Sequence, residues 1–146
     1  MDRIFLDANV LFSAAYRANS RLVGLWSLRD VELLTCAYAA EEARVNLIEP
    51  QQQERLEKLL KAVRIVPDQP SGVLPRDVTL PAKDLPIIFS ALAARATHLP
   101  TGDRQHFGNY FGRRISGVLV LPPSEYFRRR KEQPETLMIL LGTDLV

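Results

Sequence analysis

The chain has a single cysteine, Cys36, among 146 residues, which excludes an internal disulfide framework. Cys36 closes the run Leu33-Leu34-Thr35-Cys36 and is not flanked by further ligands, so its thiol reads as a small buried hydrophobe rather than a nucleophile. There are only two histidines, His98 and His106, and they lack the spacing of a zinc site. No apolar run is long enough to span a bilayer and no hydrophobic signal region opens the chain, so a soluble, cytoplasmic protein is expected, with no membrane partner. Charge of one sign is not in excess: 19 Lys and Arg face 17 Asp and Glu, for a net +2 and a pI of 8.9. That balance permits nucleic acid as a partner without arguing for it. Internal repeats and a second domain are also missing.

What is present is an apolar fraction of 47%, enough for a proper core in one domain of this length. Ile4-Phe5-Leu6-Asp7-Ala8-Asn9-Val10-Leu11-Phe12 reads as a buried parallel strand that presents Asp7 at its C-terminal end and runs at once into a helix. Ligands bind at that end in open α/β sheets, although Asp is equally a good helix N-cap. The remaining pattern alternates. Strands are expected over 3–6, 31–36, 64–66, 97–99 and 117–121. Helices are expected over 8–15, from a cap at 19–20 to about 29, over 38–47, over 51–62 after a break at Pro50, over 85–96, and after Pro122-Pro123 to the basic run 128–131. Residues 67–83, with four prolines and Ser71-Gly72, read as a loop long enough to be functional or mobile. The expectation is a three-layer α/β sandwich around a central, mostly parallel sheet. The domain covers 1–131 and a C-terminal tail 132–146.

In that arrangement Asp7 follows the first strand and Asp103 the fourth, so both project from one sheet edge. Asp84 opens the helix before the fourth strand, and Glu41 and Glu42 lie in the helix after the second. Acids converging in a partly desolvated cleft repel unless a divalent cation neutralises them. Oxygen-only ligands select a hard ion, Mg²⁺ or Mn²⁺, over zinc.

The segments Leu6-Asp7-Ala8-Asn9-Val10-Leu11, Ala40-Glu41-Glu42-Ala43-Arg44, and above all Asp84-Leu85-Pro86-Ile87-Ile88 through Ala91-Leu92-Ala93-Ala94 to Thr101-Gly102-Asp103-Arg104-Gln105-His106-Phe107 resemble the PIN domain family of metal-dependent ribonucleases. The resemblance spans roughly 3–127. It implies that Asp7, Asp84 and Asp103 are metal-binding and catalytic, completed by a helix glutamate. Glu42 is preferred because Glu42-Ala43-Arg44-Val45-Asn46-Leu47 matches the family's acid followed by an apolar and a basic residue. Glu41 remains open, since adjacent helix positions lie about 100° apart and only one can point squarely into the site. Many relatives carry a further acid just after the third aspartate, where this chain has Gln105 and His106, so a full second metal site is not implied. Pro100 stands where an apolar residue is usual and is expected to shorten the fourth strand.

With that set, RNA is the expected substrate and metal-dependent endoribonuclease activity the expected function. Thr101 is a candidate to orient a carboxylate or contact phosphate, with shaping of the turn as the alternative; Asn9 holds the turn after Asp7; Arg104 and His106 are candidates for the RNA backbone, beside the plainer reading of exposed polar residues after a turn. The family resemblance also implies a homodimer and, for toxins of the VapC type, a small antitoxin protein that covers the acidic site. The basic run 128–131 reads as a solvated helix end, and the apolar run 137–141 packs back or meets a partner. Two other readings stand beside the enzyme. One is a PIN-like module that has lost catalysis and binds RNA or protein. The other is a receiver-like phosphate-binding domain, which lacks a suitable lysine after a late strand and fits the Asp84 to Asp103 spacing poorly.

Overall fold

Along the first strand successive side chains must face opposite sides, and here both sides are filled. Ile4 and Leu6 enter one core cluster with Leu11, Leu33, Leu56 and Tyr126, whereas Phe5 enters another with Leu34, Ile87, Ile88 and Phe107. A strand buried on both faces needs helices above and below it. The computed structural model describes residues 1–131, and the tail 132–146 with its apolar run lies outside the described residues. In chain order the elements are β1 (Asp2–Phe5), α1 (Ala8–Tyr16), β2 (Val31–Cys36), α2 (Ala37–Asn46), α3 (Pro50–Leu60), β3 (Arg64–Val66), α4 (Leu85–Ala93), β4 (His98–Pro100), α5 (Arg104–Phe107), β5 (Arg113–Ile115), β6 (Val118–Leu121) and α6 (Pro123–Lys131).

The six strands form one sheet in the order β3-β2-β1-β4-β6-β5, parallel throughout except for β5 against β6. This is the expected mostly parallel α/β sandwich. α3 and α6 feed one core cluster and α4 the other, while α1 and α2 serve both, with Ala8 and Ala39 on the α4 side and Val10, Leu11, Ala15 and Ala43 on the opposite one. From β1 the chain winds outwards through β2 and β3, then crosses to the other side of β1 to lay down β4. The reversal leaves a switch point between β1 and β4, where a crevice opens at the carboxyl ends of the strands.

Pro100 lies at the edge of that crevice. Thr101 N donates to Leu121 O at 3.0 Å and Leu119 N to Thr97 O at 2.9 Å, so odd-numbered β4 residues face β6 and even-numbered ones face β1. Pro100 has no N–H to give β1, and β1 and β4 share the single register pair Ile4↔His98. Pro100 itself lies within β4, in register with Leu121. The proline therefore ends the pairing with β1 rather than shortening the strand.

Other departures have local causes. Residues Arg21–Ser27 form a 3₁₀ helix, capped by Ser20 as expected, instead of an α-helix reaching 29. Leu22, Leu25 and Leu28 recur every third residue and all pack into the same cluster, which suits three residues per turn. α3 begins at Pro50 itself, since proline is well placed in the first helical turn. β5 escapes a pattern reading because only Ile115 of its three residues is buried. It joins β6 through Ser116 and Gly117, both at positive φ (48° and 94°), the conformation of a tight two-residue hairpin.

The long proline-rich loop is pinned at several points. Val78 and Leu80 are buried, Tyr110 Oη accepts from Thr79 N at 2.8 Å and donates to Thr79 O at 2.9 Å, and Gln69 N donates to Ser90 Oγ at 3.0 Å. Cys36 is fully buried, and burial pushes its thiol up from the ordinary value, in keeping with an inert side chain. No helix among the described residues is long and apolar enough to cross a membrane.

Candidate metal centre

At the switch point the end of β1 delivers Asp7 and the end of β4 delivers Thr101, Gly102 and Asp103. Asp7 occupies the N-cap of α1, with Oδ1 accepting from Ala8 N at 2.6 Å. Its other oxygen does something a cap does not require. Asp7 Oδ2 accepts from Thr101 Oγ1 at 2.8 Å and from Asn9 Nδ2 at 2.9 Å. Asn9 also donates to Thr101 Oγ1 at 3.0 Å, and its Oδ1 accepts from Gly102 N at 3.0 Å. One short network thus staples the ends of two strands more than ninety residues apart in sequence and holds the carboxylate still.

Asp103 caps α5, with Oδ1 accepting from His106 N at 3.0 Å. That leaves Oδ2 to the cleft. Asp84 ends a 3₁₀ turn, Ala82–Asp84, just before α4. It is only 7% exposed. α1 packs on α2 and brings Glu42 to the same place. Asp7, Glu42, Asp84 and Asp103 all line one cleft of about 360 Å³, with Asn9 and Lys83 on its walls.

Glu41, by contrast, points away: it is exposed and its carboxylate pairs with Arg44 at 2.7 Å, which also binds Glu57 at 2.7 Å. It borders only a neighbouring, more open surface shared with Tyr38, Val45 and Lys83. The 100° step between adjacent helix residues thus sends one glutamate to the cleft and the other to a surface network.

Electrostatics follow from this crowding. Burial pushes the Asp7 carboxyl up to about 6, against the hydrogen bonds from Thr101 and Ala8, and the charges of Asp84 and Glu42 push it the same way. Asp84 is also raised, by burial first; His106 opposes that shift, while Asp103 adds to it.

Among the remaining expected residues, Thr101 is fully buried with its hydroxyl on Asp7, the position of a residue that orients a carboxylate. Arg104 is exposed on α5. His106 does not face outwards: its Nδ1 lies 2.9 Å from Asp84 Oδ2 and 2.7 Å from Asp103 Oδ2. Neither approach is directed as a hydrogen bond, so Asp84 Oδ2 and His106 Nδ1 are both buried atoms with no hydrogen-bond partner among the described residues. One ligand atom each from Asp84, Asp103 and His106 lies within 4.8 Å of the others. These two buried atoms and the neighbouring Asp103 oxygen are a donor set that fits a divalent cation. Lys83 was not singled out from the sequence; its adjacency to Asp84 was the available signal.

No protein-family model matches the sequence, and no curated protein matches it significantly. Solved structures do. VapBC2 from Rickettsia felis, bound to a DNA fragment from its promoter, matches with a TM-score of 0.58 at 15% identity, over 82% of this chain and 98% of that one. FitAcB from Neisseria gonorrhoeae matches with a TM-score of 0.53 at 27% identity, over 83% and 98%. The fold is PIN-like. A structure of FitAB bound to the IR36 DNA fragment matches similarly, with a TM-score of 0.53 at 24% identity over 82% and 94%. These neighbours agree with the PIN resemblance carried by the Asp7, Glu42 and Asp84 to Phe107 segments, and this PIN-like chain puts its acids at the switch point of the sheet.

Proposed function

We propose that the protein is a metal-dependent endoribonuclease and the toxin of a toxin–antitoxin pair. The observation that carries the reading is the convergence of Asp7, Glu42, Asp84 and Asp103 on one cleft, with a buried Asp84 oxygen that takes no hydrogen bond from the described residues. Asp7, Asp84 and Asp103 would hold Mg²⁺ or Mn²⁺, with Glu42 completing the shell directly or through water. When bound, such an ion polarises a phosphate oxygen and lowers the pKa of a water so that it attacks at neutral pH. Thr101 and Asn9 keep the Asp7 carboxylate in one orientation, so that little reorganisation is needed during reaction. Lys83 sets a positive charge at the rim, where it offsets the acids and attracts the RNA backbone.

A second hollow of about 480 Å³ adjoins the cleft at Ser13 and is lined by Phe12, Tyr16, Arg17, Asn19 and Arg21 among others. Two exposed arginines beside the aromatic pair Phe12 and Tyr16, whose rings lie 5.3 Å apart, suit a single-stranded RNA flank through phosphate pairing and base stacking.

The VapBC2 and FitAB neighbours support a small antitoxin protein as the partner. The test is cleavage of RNA by the purified chain with Mg²⁺ or Mn²⁺, with chelator, and with Asp7→Asn and Asp103→Asn proteins. Cleavage that survives chelation or both substitutions sinks the metal-nuclease reading. Growth arrest on expression, relieved by a co-purifying small protein, is expected for a toxin. Harmless expression with no such protein removes that part.

A further inference from the structure

Resting on the metal-nuclease reading above, we infer that His106 is a metal ligand, so that the centre is a mixed nitrogen and oxygen site in which His106 Nδ1 joins Asp7, Asp84 and Asp103 and which favours Mn²⁺ and later first-row ions over Mg²⁺. Three observations converge on this. The first is distance: cis ligands of an octahedral ion with bonds near 2.1 Å lie about 3 Å apart, and Nδ1 stands 2.9 Å from Asp84 Oδ2 and 2.7 Å from Asp103 Oδ2. The second is that Nδ1 and Asp84 Oδ2 are both buried atoms with no hydrogen bond among the described residues, close together without satisfying each other. The third is rigidity. His106 is the third residue of α5, and its own backbone N–H is held by Asp103 Oδ1 at 3.0 Å, so the ring and one carboxylate are fixed to each other.

An imidazole nitrogen is a poor partner for Mg²⁺, which prefers oxygen and keeps its waters. Mn²⁺ tolerates nitrogen, and affinity for nitrogen donors rises along the series beyond it. The ion of this protein is thereby narrowed from any hard divalent cation to a transition ion.

The chain has only two histidines, and His98 stands elsewhere, against Tyr126 and Asp2. An imidazole nitrogen bound to the ion can therefore be assigned by two substitutions. The experiment is electron spin echo spectroscopy of the full chain loaded with Mn²⁺, with titration of Mn²⁺ and Mg²⁺ followed by calorimetry. Imidazole-nitrogen coupling is expected in the parent and in His98→Gln, and not in His106→Gln. His106→Gln should also weaken Mn²⁺ binding about tenfold or more and Mg²⁺ binding less, narrowing the preference between them. Tight Mn²⁺ binding by the parent without nitrogen coupling overturns the inference while leaving the metal site intact; His106 would then only neutralise two acids. Failure of the parent to bind Mn²⁺, or binding unchanged in both Asp84→Asn and Asp103→Asn, overturns the metal site itself. A parent spectrum without nitrogen coupling overturns the inference by itself, and nitrogen coupling that is lost in a folded His98→Gln or kept in a folded His106→Gln does so as well.

Discussion

Asp7→Asn in metal-free protein isolates the charge that the fold keeps buried. Asp7 is 4% exposed and titrates in the folded chain at about 6, against 3.8 for an ordinary Asp. With the folded value above the unfolded one, the native state binds the proton more tightly. Below about 3.8 the group carries its proton in both states and imposes no penalty. As pH rises through the window to about 6, the native state must hold a charge that the unfolded chain solvates better, and stability falls. The penalty at neutral pH comes to about 3 kcal/mol.

Asparagine never ionises, so the stability difference between Asp7→Asn and parent should grow by about 2.5 kcal/mol in favour of the variant between pH 4 and pH 7. A constant offset will lie under that growth. The Asn amide can still accept from Ala8 N, but it sets N–H groups against Asn9 Nδ2, at a cost of about 1–3 kcal/mol. The pH-dependent part is free of this offset, which makes it the quantity to measure. Urea unfolding in chelator, followed through Trp26, the one tryptophan, half-buried with Nε1 donating to Leu59 O at 3.0 Å, should move the midpoint difference by roughly 1–3 M across the window. Saturating Mn²⁺ should then favour the parent by about 2.7 kcal/mol at a hundredfold excess over its dissociation constant, and the variant much less. A difference that stays flat with pH, or one that shrinks, would show that Asp7 is an ordinary helix cap.

The remaining expectations are simpler. Glu42→Gln should lower RNA cleavage by tenfold or more, on the order of one lost charge-assisted contact, whereas Glu41→Gln should leave cleavage near the parent; the reverse order in a steady-state assay would reassign the helix acid. Thr101→Val should destabilise the metal-free protein by about 1–3 kcal/mol, because a buried acceptor on Asp7 and the Asn9 amide lose a partner, while Thr101→Ser should recover most of it in thermal melts; equal effects would deny the hydroxyl its role. Arg17→Ala and Arg21→Ala should change stability by less than about 0.5 kcal/mol, yet weaken RNA binding and each reduce the slope of log affinity against log salt by about 0.7. An unchanged slope would move the RNA path off that hollow.

The parts of the molecule that could be read in the sequence are those specified by neighbours along the chain. Ile4-Phe5-Leu6 announces a doubly buried strand by composition, and the carboxylate after it marks the sheet edge. Asp84 and Asp103 were placed in the same way, by what precedes and follows them. What the pattern hid is long-range or very short. The staple from Asn9 to Thr101 and Gly102 joins residues whose proximity depends on β4 crossing to the far side of β1. His106 turns inward because Asp103 caps α5 and holds the His106 backbone N–H, and a helix of four residues leaves no periodic trace. β5 is three residues with a single buried side chain, and its pairing depends on two positive-φ residues rather than on hydrophobic alternation. At Arg21–Ser27 the cap is legible in Ser20, but a cap does not distinguish an α-helix from the 3₁₀ helix that Leu22, Leu25 and Leu28 suit.

The staple has a kinetic meaning as well. The Gly102 amide is held by Asn9 Oδ1, and the Asp7 carboxylate by a hydroxyl from the other end of the chain. No fragment that stops before β4 can assemble the cleft, and contacts of such sequence separation form late because a large loop must close first. During synthesis the acids therefore stay dispersed until almost the whole domain has emerged. On the nuclease reading proposed above, the nascent chain lacks its centre and acquires it in one cooperative step once β4 is in place.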